Sequence, residues 1–264
     1  MRVFFRIFII SLFLILSKGV LAAENLSSKL SSPVGMAFDS QGSLYISNWS
    51  AGTISRWSNG KIETYLTGIH SPTGIAFDSE DRLYIASYSS GEILRFNSKK
   101  EKEVYLDGLS VVAGINFDNS GNLLVCERGK SRIMKVSPSK AQSELVVGSP
   151  LRTPVGITQI DESIYAISDI TGSVFLYDEK ANNLALLTNK PTSPGIGIAY
   201  DSEKEILYSP DYGSRGVYVI DVNTGESEVL AMQLRSPVAL AKSIAGEVYV
   251  GTWSDNSLYR LSPK

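Results

Sequence analysis

A phrase that begins Pro33-Val-Gly-Met-Ala-Phe-Asp39 and runs on through Ser43-Leu-Tyr-Ile-Ser47 returns, with drift, to the end of the chain. Its later forms are Pro72-Thr-Gly-Ile-Ala-Phe-Asp78, Ala113-Gly-Ile-Asn-Phe-Asp118, Pro154-Val-Gly-Ile157, Gly195-Ile-Gly-Ile-Ala-Tyr-Asp201 and Pro237-Val-Ala-Leu240. Anchored at Gly35, Gly74, Gly114, Gly156, Gly197 and Ala239, the six copies step by 39, 40, 42, 41 and 42 residues. A period of that size belongs to four-stranded propeller blades or to helical solenoids. The first copy holds four short alternating runs, Gly35-Met-Ala-Phe38, Ser43–Ser47, Thr53-Ile-Ser-Arg-Trp57 and Ile62-Glu-Thr-Tyr-Leu66. Turn residues suited to tight hairpins separate such runs, as in Asp39-Ser-Gln-Gly42, Asp118-Asn-Ser-Gly121 and Ser58-Asn-Gly60. No stretch has the period of an amphipathic helix. The expected fold is therefore all-β, a six-bladed β-propeller of four-stranded antiparallel blades.

The sixth copy supplies only three strands, from Val238, Glu247 and Ser257, before the chain stops at Lys264. Residues 24–32 stand before Pro33 as residues 64–71 stand before Pro72, so they are the candidate fourth strand of the last blade. Pairing the termini would remove a sheet edge that otherwise invites association. The recurrent aromatics Phe38, Phe77, Phe117 and Tyr200, with Tyr45, Tyr84, Tyr165, Tyr208 and Tyr249, are expected to fill the space between blades.

Residues 1–22 differ from the rest. Arg2 and Arg6 precede an apolar run from Ile7 to Leu16, and Val20 with Ala22 place small residues at the minus-three and minus-one positions of a cut after Ala22. This is the pattern of an export signal, too short in its apolar core to span a bilayer. The mature chain, residues 23–264, is expected to be one propeller domain without a membrane span, a monomer, and periplasmic or secreted. Twenty-five basic against twenty-seven acidic residues leave no excess for a phosphate backbone, which argues against nucleic acid as a partner. Cys126, the one cysteine, lies in an apolar strand pattern and reads as a buried, inert thiol. The sequons at Asn25 and Asn48 matter only if the export route is eukaryotic.

The phrase P-x-G-[IM]-x-F-D-x-x-G-x-L-Y, followed by a polar pair and I-x-R, resembles the NHL-repeat and senescence-marker/gluconolactonase superfamily of propellers. It resembles virginiamycin B lyase and strictosidine synthase more loosely. The resemblance covers residues 24–264 and implies the propeller fold. Its members range over metal-dependent lactonases, lyases, condensing enzymes and binding scaffolds, and fold does not select among them.

The start of each first strand and the end of each second strand share one face of the disc. There a first ring reads Val34, Thr73, Ala113, Val155, Ile196 and Val238, almost wholly apolar. A second reads Asn48, Ser87, Glu127, Ser168, Asp211 and Thr252, and a third reads Trp49, Tyr88, Arg128, Asp169, Tyr212 and Trp253. In the gluconolactonase relatives the divalent ion is held by Glu, Asn and Asp at start-of-strand positions. Here the apolar first ring occupies those positions, so the family's ligands carry over to no residue. Asn48, Glu127 and Asp211 are the alternative oxygen donors for Ca²⁺ or Mg²⁺. His70, the single histidine, is the candidate general base, and lyase-like chemistry requires it to reach a carboxylate such as Glu127.

A small molecule is the expected partner, contacted by Asn48, Trp49, Tyr88, Glu127, Arg128, Asp169, Asp211, Tyr212 and Trp253. Aromatic faces with nearby acids suit a cationic or sugar-like ligand, and Arg128 suits a carboxylate. Two classes stay open: a lactone hydrolase or lyase with a modified site, and a non-catalytic binding or interaction scaffold of the cell envelope. Arg56, Arg95, Arg132 and Arg260 recur at one repeat position and read as structural ties.

Overall fold

The computed structural model describes residues 22–262. They form six four-stranded antiparallel sheets, each made of consecutive strands except the last. Blade 1 has its inner strand at Pro33–Phe38, then Leu44–Asn48, Thr53–Ser58 and an outer strand at Lys61–Leu66. The other inner strands are Pro72–Phe77, Val112–Phe117, Pro154–Asp161, Ala199–Asp201 and Pro237–Lys242. Among the described residues no helix is long and apolar enough to cross a membrane. The export signal expected over residues 1–22 lies, apart from Ala22, outside the described residues.

Hairpins within the blades are set by local chemistry. Asp39 Oδ1 accepts the N–H groups of Gln41 and Ser43 at 3.0 and 2.8 Å, and Asp118 treats Ser120 and Asn122 in the same way at 3.0 and 2.8 Å. The side chain thus satisfies turn amides that no strand partner reaches. The left-handed position after it is taken by Gly42 (φ 79°) and Gly121 (φ 77°), where a β-carbon would be strained.

The anchor glycines have a different reason. A β-carbon on Gly35 would lie 2.1 Å from the carbonyl oxygen of Thr73, and one on Gly114 would lie 2.4 Å from that of Val155. Inner strands of neighbouring blades approach backbone to backbone, which is how six of them converge on one axis. Blade 6 carries Ala239 at this position and compensates on its second strand. Gly251 stands there where blade 1 has Ser47, and the Ala239 methyl would be 3.0 Å from any β-carbon added to Gly251.

Between blades the recurrent aromatics pack as expected. Tyr45 meets Tyr65 and Phe77 edge-on at 4.9 Å, and one blade further Tyr84 meets Tyr105 and Phe117 at the same separations. Such pairs add about 0.5–1.5 kcal/mol each beyond the area they bury.

The outer strand of blade 6 comes from the other end of the chain. Ala22–Ser27 pairs antiparallel with Ser257–Ser262, matching Ala23 to Leu261 and Asn25 to Tyr259. Residues 28–32, expected to continue this strand, instead turn into blade 1. Leu30 is buried there, and its N–H donates to the carbonyl of Asn256 at 3.0 Å. Arg260 holds Glu24 at 2.6 Å and Glu247 at 3.1 Å, so one of the recurrent arginines ties three strands of the last blade.

Candidate functional site

The face expected to carry the ligand is defined by one hydrogen bond repeated six times. The N–H groups of Trp49, Tyr88, Arg128, Ile170, Tyr212 and Trp253 donate to the carbonyls of Ser32, Ser71, Val111, Thr153, Ser193 and Ser236, at 2.9–3.3 Å. Each bond joins the end of a second strand to the residue just before or near the start of the inner strand. The bond corrects blade 4: its member of the rim is Ile170, and Asp169 belongs one ring inward, replacing Ser168. Pro154 pairs with Asp169 as Pro33 pairs with Asn48. Ser168 and Asp169 are both polar, so polarity could not separate the two registers.

The inner polar ring is fully engaged. Asn48 Oδ1 accepts the Ser31 N–H at 2.9 Å while its amide nitrogen donates to Ser55 Oγ at 2.8 Å. Glu127 Oε1 accepts the Ser110 N–H at 2.7 Å and lies 3.1 Å from Lys130 Nζ, while Oε2 accepts from Arg132 Nε at 2.5 Å. Asp211 accepts from the main chain of Thr192, Ser193, Gly213 and Ser214 at 2.7–3.2 Å. Asp169 accepts from Thr171 and, at 3.2 Å, from the Arg152 N–H. Thr252 donates to Asp255. In each case the side chain fastens a loop to the end of a second strand.

Glu127 and Asp211 are inaccessible to solvent. Burial by itself would raise Glu127, but the Ser110 amide and the Arg132 and Lys130 cations outweigh it and hold the carboxyl below its ordinary value. For Asp211 burial is likewise outweighed, by hydrogen bonds from Ser214, Thr192 and Ser193. These are stable carboxylates with their lone pairs committed.

That engagement corrects the expected metal set. The oxygens of Asn48, Glu127 and Asp211 are each committed within their own blade, and among the described residues no three His, Cys, Asp or Glu side chains converge as an ion requires. The positions where gluconolactonases carry ligands hold buried Val34, Thr73, Ala113 and Val155. Neither set fits a divalent ion. His70 is exposed and accepts from Ser87 Oγ through its main-chain carbonyl at 2.7 Å, whereas the partners of Glu127 are Ser110, Lys130 and Arg132. The expected contact between His70 and Glu127 is not made. Cys126 is fully buried, which pushes its thiol well above the ordinary range.

The rim itself presents side chains. Trp49 and Tyr88, on adjacent blades, meet at 4.8 Å between ring centroids, and the Arg128 guanidinium lies 5.9 Å from the Tyr88 ring. Arg128 Nε is buried without a partner. Ile170, Tyr212 and Trp253 are exposed. Val34, Thr73, Ala113, Val155 and Val238 of the first ring are buried. The axial cavity, about 450 Å³, lies towards the other end, between the anchor glycines and the ends of the inner strands. Among the described residues its one charged wall residue is Lys242, which interrupts the series Phe38, Phe77, Phe117 and Tyr200.

The sequence matches no protein-family model and no curated protein. Solved structures do resemble it. A gluconolactonase from Xanthomonas campestris superposes with a TM-score of 0.80 at 16% identity, over 92% of this chain and 90% of that one. A catalytically inactive virginiamycin B lyase from Staphylococcus aureus, solved with quinupristin, gives 0.68 at 17% identity, over 92% and 85%. A chain of a nidogen/laminin complex gives 0.71 at 20% identity, over 80% and 86%. Likeness at such identities speaks for fold alone. By its six sheets and their order around the axis, the chain is a six-bladed β-propeller of the architecture that gluconolactonase and virginiamycin B lyase share.

Proposed function

We propose that this chain is an exported propeller that binds a small molecule on the aromatic rim. The observation that carries the reading is the edge-on contact of Trp49 with Tyr88 and the Arg128 guanidinium beside the Tyr88 ring, across three consecutive blades, with Tyr212 and Trp253 exposed on the same ring. Indole and phenol faces take a flat apolar or sugar-like surface, and the Arg128 fork takes an acceptor group on it. The buried acids of the inner ring hold the loops that present these side chains. Two of the three tryptophans are on the rim, so intrinsic fluorescence reports on it. Titrating the purified protein with a panel of sugars and aromatic carboxylates should shift the emission for some members, and Trp49→Ala and Trp253→Ala should each abolish or weaken that response. A response that survives both variants refutes the reading.

A hydrolase or lyase reaction, as the enzyme neighbours' names suggest, is the narrower form of this proposal. Its base is His70, exposed in the loop whose carbonyl accepts from Ser87 Oγ. Turnover of lactone substrates that disappears in His70→Ala would support it, and unchanged turnover would remove it. The neighbour from a nidogen/laminin complex favours a second reading, a protein-binding scaffold, which predicts partners captured on the rim in a form sensitive to Trp253→Ala.

A further inference from the structure

The far end of the axis is built differently from the rim. The inner strand is terminal in every sheet, so one edge of each has no ladder partner, and the cavity of about 450 Å³ lies among these edges. Unpaired strand edges offer N–H and C=O groups to whatever lies beside them. The volume falls in the range of small-molecule sites.

Four positions of the inner strands depart from the repeat, and three of them, Asn116, Thr158 and Lys242, line the cavity. Ala37, Ala76, Ala199 and Ala241 occupy one position of the inner strand, but blades 3 and 4 have Asn116 and Thr158 there. Two positions of the next ring also change: the aromatic at Phe38, Phe77, Phe117 and Tyr200 becomes Gln159 in blade 4 and Lys242 in blade 6. Gln159 is committed to Asn119 and Glu162, and Asn116 to the carbonyl of Ile157 at 3.1 Å. Thr158 is more than nine-tenths buried, lines the cavity, and its hydroxyl has no protein partner among the described residues. Its oxygen is reached from the cavity, so a hydrogen-bonding group of a ligand can meet it there in place of water.

Among the described residues Lys242 is the only charged one in the wall. Its ammonium stands 3.7 Å from Asp201 Oδ1, a loose contact, while Lys204 takes Oδ2 of the same carboxylate at 3.1 Å. One carboxylate faces two lysines, and the longer contact leaves the Lys242 ammonium with donors free, although Asp161 and Glu205 also act on the wall residue Tyr200. Beside it, in the hairpin that follows Lys242, Ile244 is 92% exposed.

We propose that this end of the axis is a second site, separate from the rim, for a small organic carboxylate. The carboxylate meets Lys242, a hydrogen-bonding group of the body meets Thr158 and the strand edges, and an apolar end passes Phe38, Phe77 and Ile244. Neither the ligand class nor the position depends on what the rim binds.

Acylglycines from acetyl to decanoyl, each with its neutral carboxamide counterpart, supply the probes, and calorimetry or ligand-observed NMR on the purified protein supplies the readout. At least one acylglycine should bind, and its carboxamide about tenfold more weakly, as loss of one charge-assisted hydrogen bond implies. Lys242→Met should weaken the acylglycine by a similar factor, Lys242→Arg should retain binding, and Thr158→Val should weaken it severalfold. Trp49→Ala and Trp253→Ala should leave it unchanged, which separates this site from the rim. Failure of every acylglycine to bind, equal binding of acid and carboxamide, indifference to Lys242→Met, or loss only in the tryptophan variants would each overturn the proposal.

Discussion

The main-chain N–H of Ser110 meets Oε1 of Glu127 at 2.7 Å, fastening the loop that leads into blade 3 to the end of that blade's second strand. The same carboxylate faces Arg132 and Lys130. A group that looks from its position like a channel-facing acid is therefore a tie within the blade, and its removal should register in stability.

Glu127→Gln keeps an acceptor for Ser110 but removes the charge that Arg132 faces. It should cost about 1.5–3 kcal/mol in urea denaturation, the range for hydrogen bonds to charged groups. Arg132→Ala should cost a similar amount, about 1.5–3 kcal/mol, because Lys130 and the Ser110 amide still face the carboxylate. Arg128→Ala, which loses a cation–ring contact, should cost no more than about 1 kcal/mol. Equal losses at Arg128 and Arg132 would contradict the assignment of roles.

Acid should destabilise the fold through the same groups. Glu127 and Asp211 are held below their ordinary values when folded, so unfolded chains bind protons first as pH falls. Their contribution is complete above the ordinary carboxyl range, about pH 4, and is lost as pH drops through the folded values. Urea midpoints measured from pH 6 to pH 3 should fall in that window, and Glu127→Gln should flatten the slope.

Closure by the N-terminal strand makes a further demand. Deleting residues 24–32 exposes the edge of Ser257–Ser262 and removes the buried Leu30, so the melting temperature should drop and light scattering should rise. Leu30→Ala alone should cost about 2–5 kcal/mol. A truncated chain that melts like the parent would show that the ring holds without the strand.

The inner-strand glycines should be intolerant in a way that turn glycines are not. Gly35→Ala forces a methyl against the Thr73 carbonyl, where a β-carbon would stand 2.1 Å away, and overpacking of this kind costs about 1–3 kcal/mol or more. Gly42→Ala meets no atom within 4 Å and has only its left-handed backbone to overcome, about 1–2 kcal/mol. Chemical denaturation of the two variants should rank them in that order.

Much of this architecture is carried by local pattern. The alternation in Ser43-Leu-Tyr-Ile-Ser47, the Asp39 and Asp118 turns and the spacing of the anchor glycines act over a few residues each, so blade number, strand order and the aromatic filling follow from reading along the chain. The rings were legible as positions, blade 4 excepted, but not as roles. What Glu127, Asp211 and Asn48 do depends on main-chain amides seventeen to nineteen residues away in sequence, brought back by the loop into each blade. Asp169 could not be told from Ser168 until a strand pairing fixed the register.

Repeat period and alternation, which are short-range, determined from sequence alone that this chain is six similar sheets closed on themselves. Tertiary structure decided where on the axis the cavity lies, and which polar groups are left free, because those outcomes depend on side chains that meet only when distant blades converge on the axis.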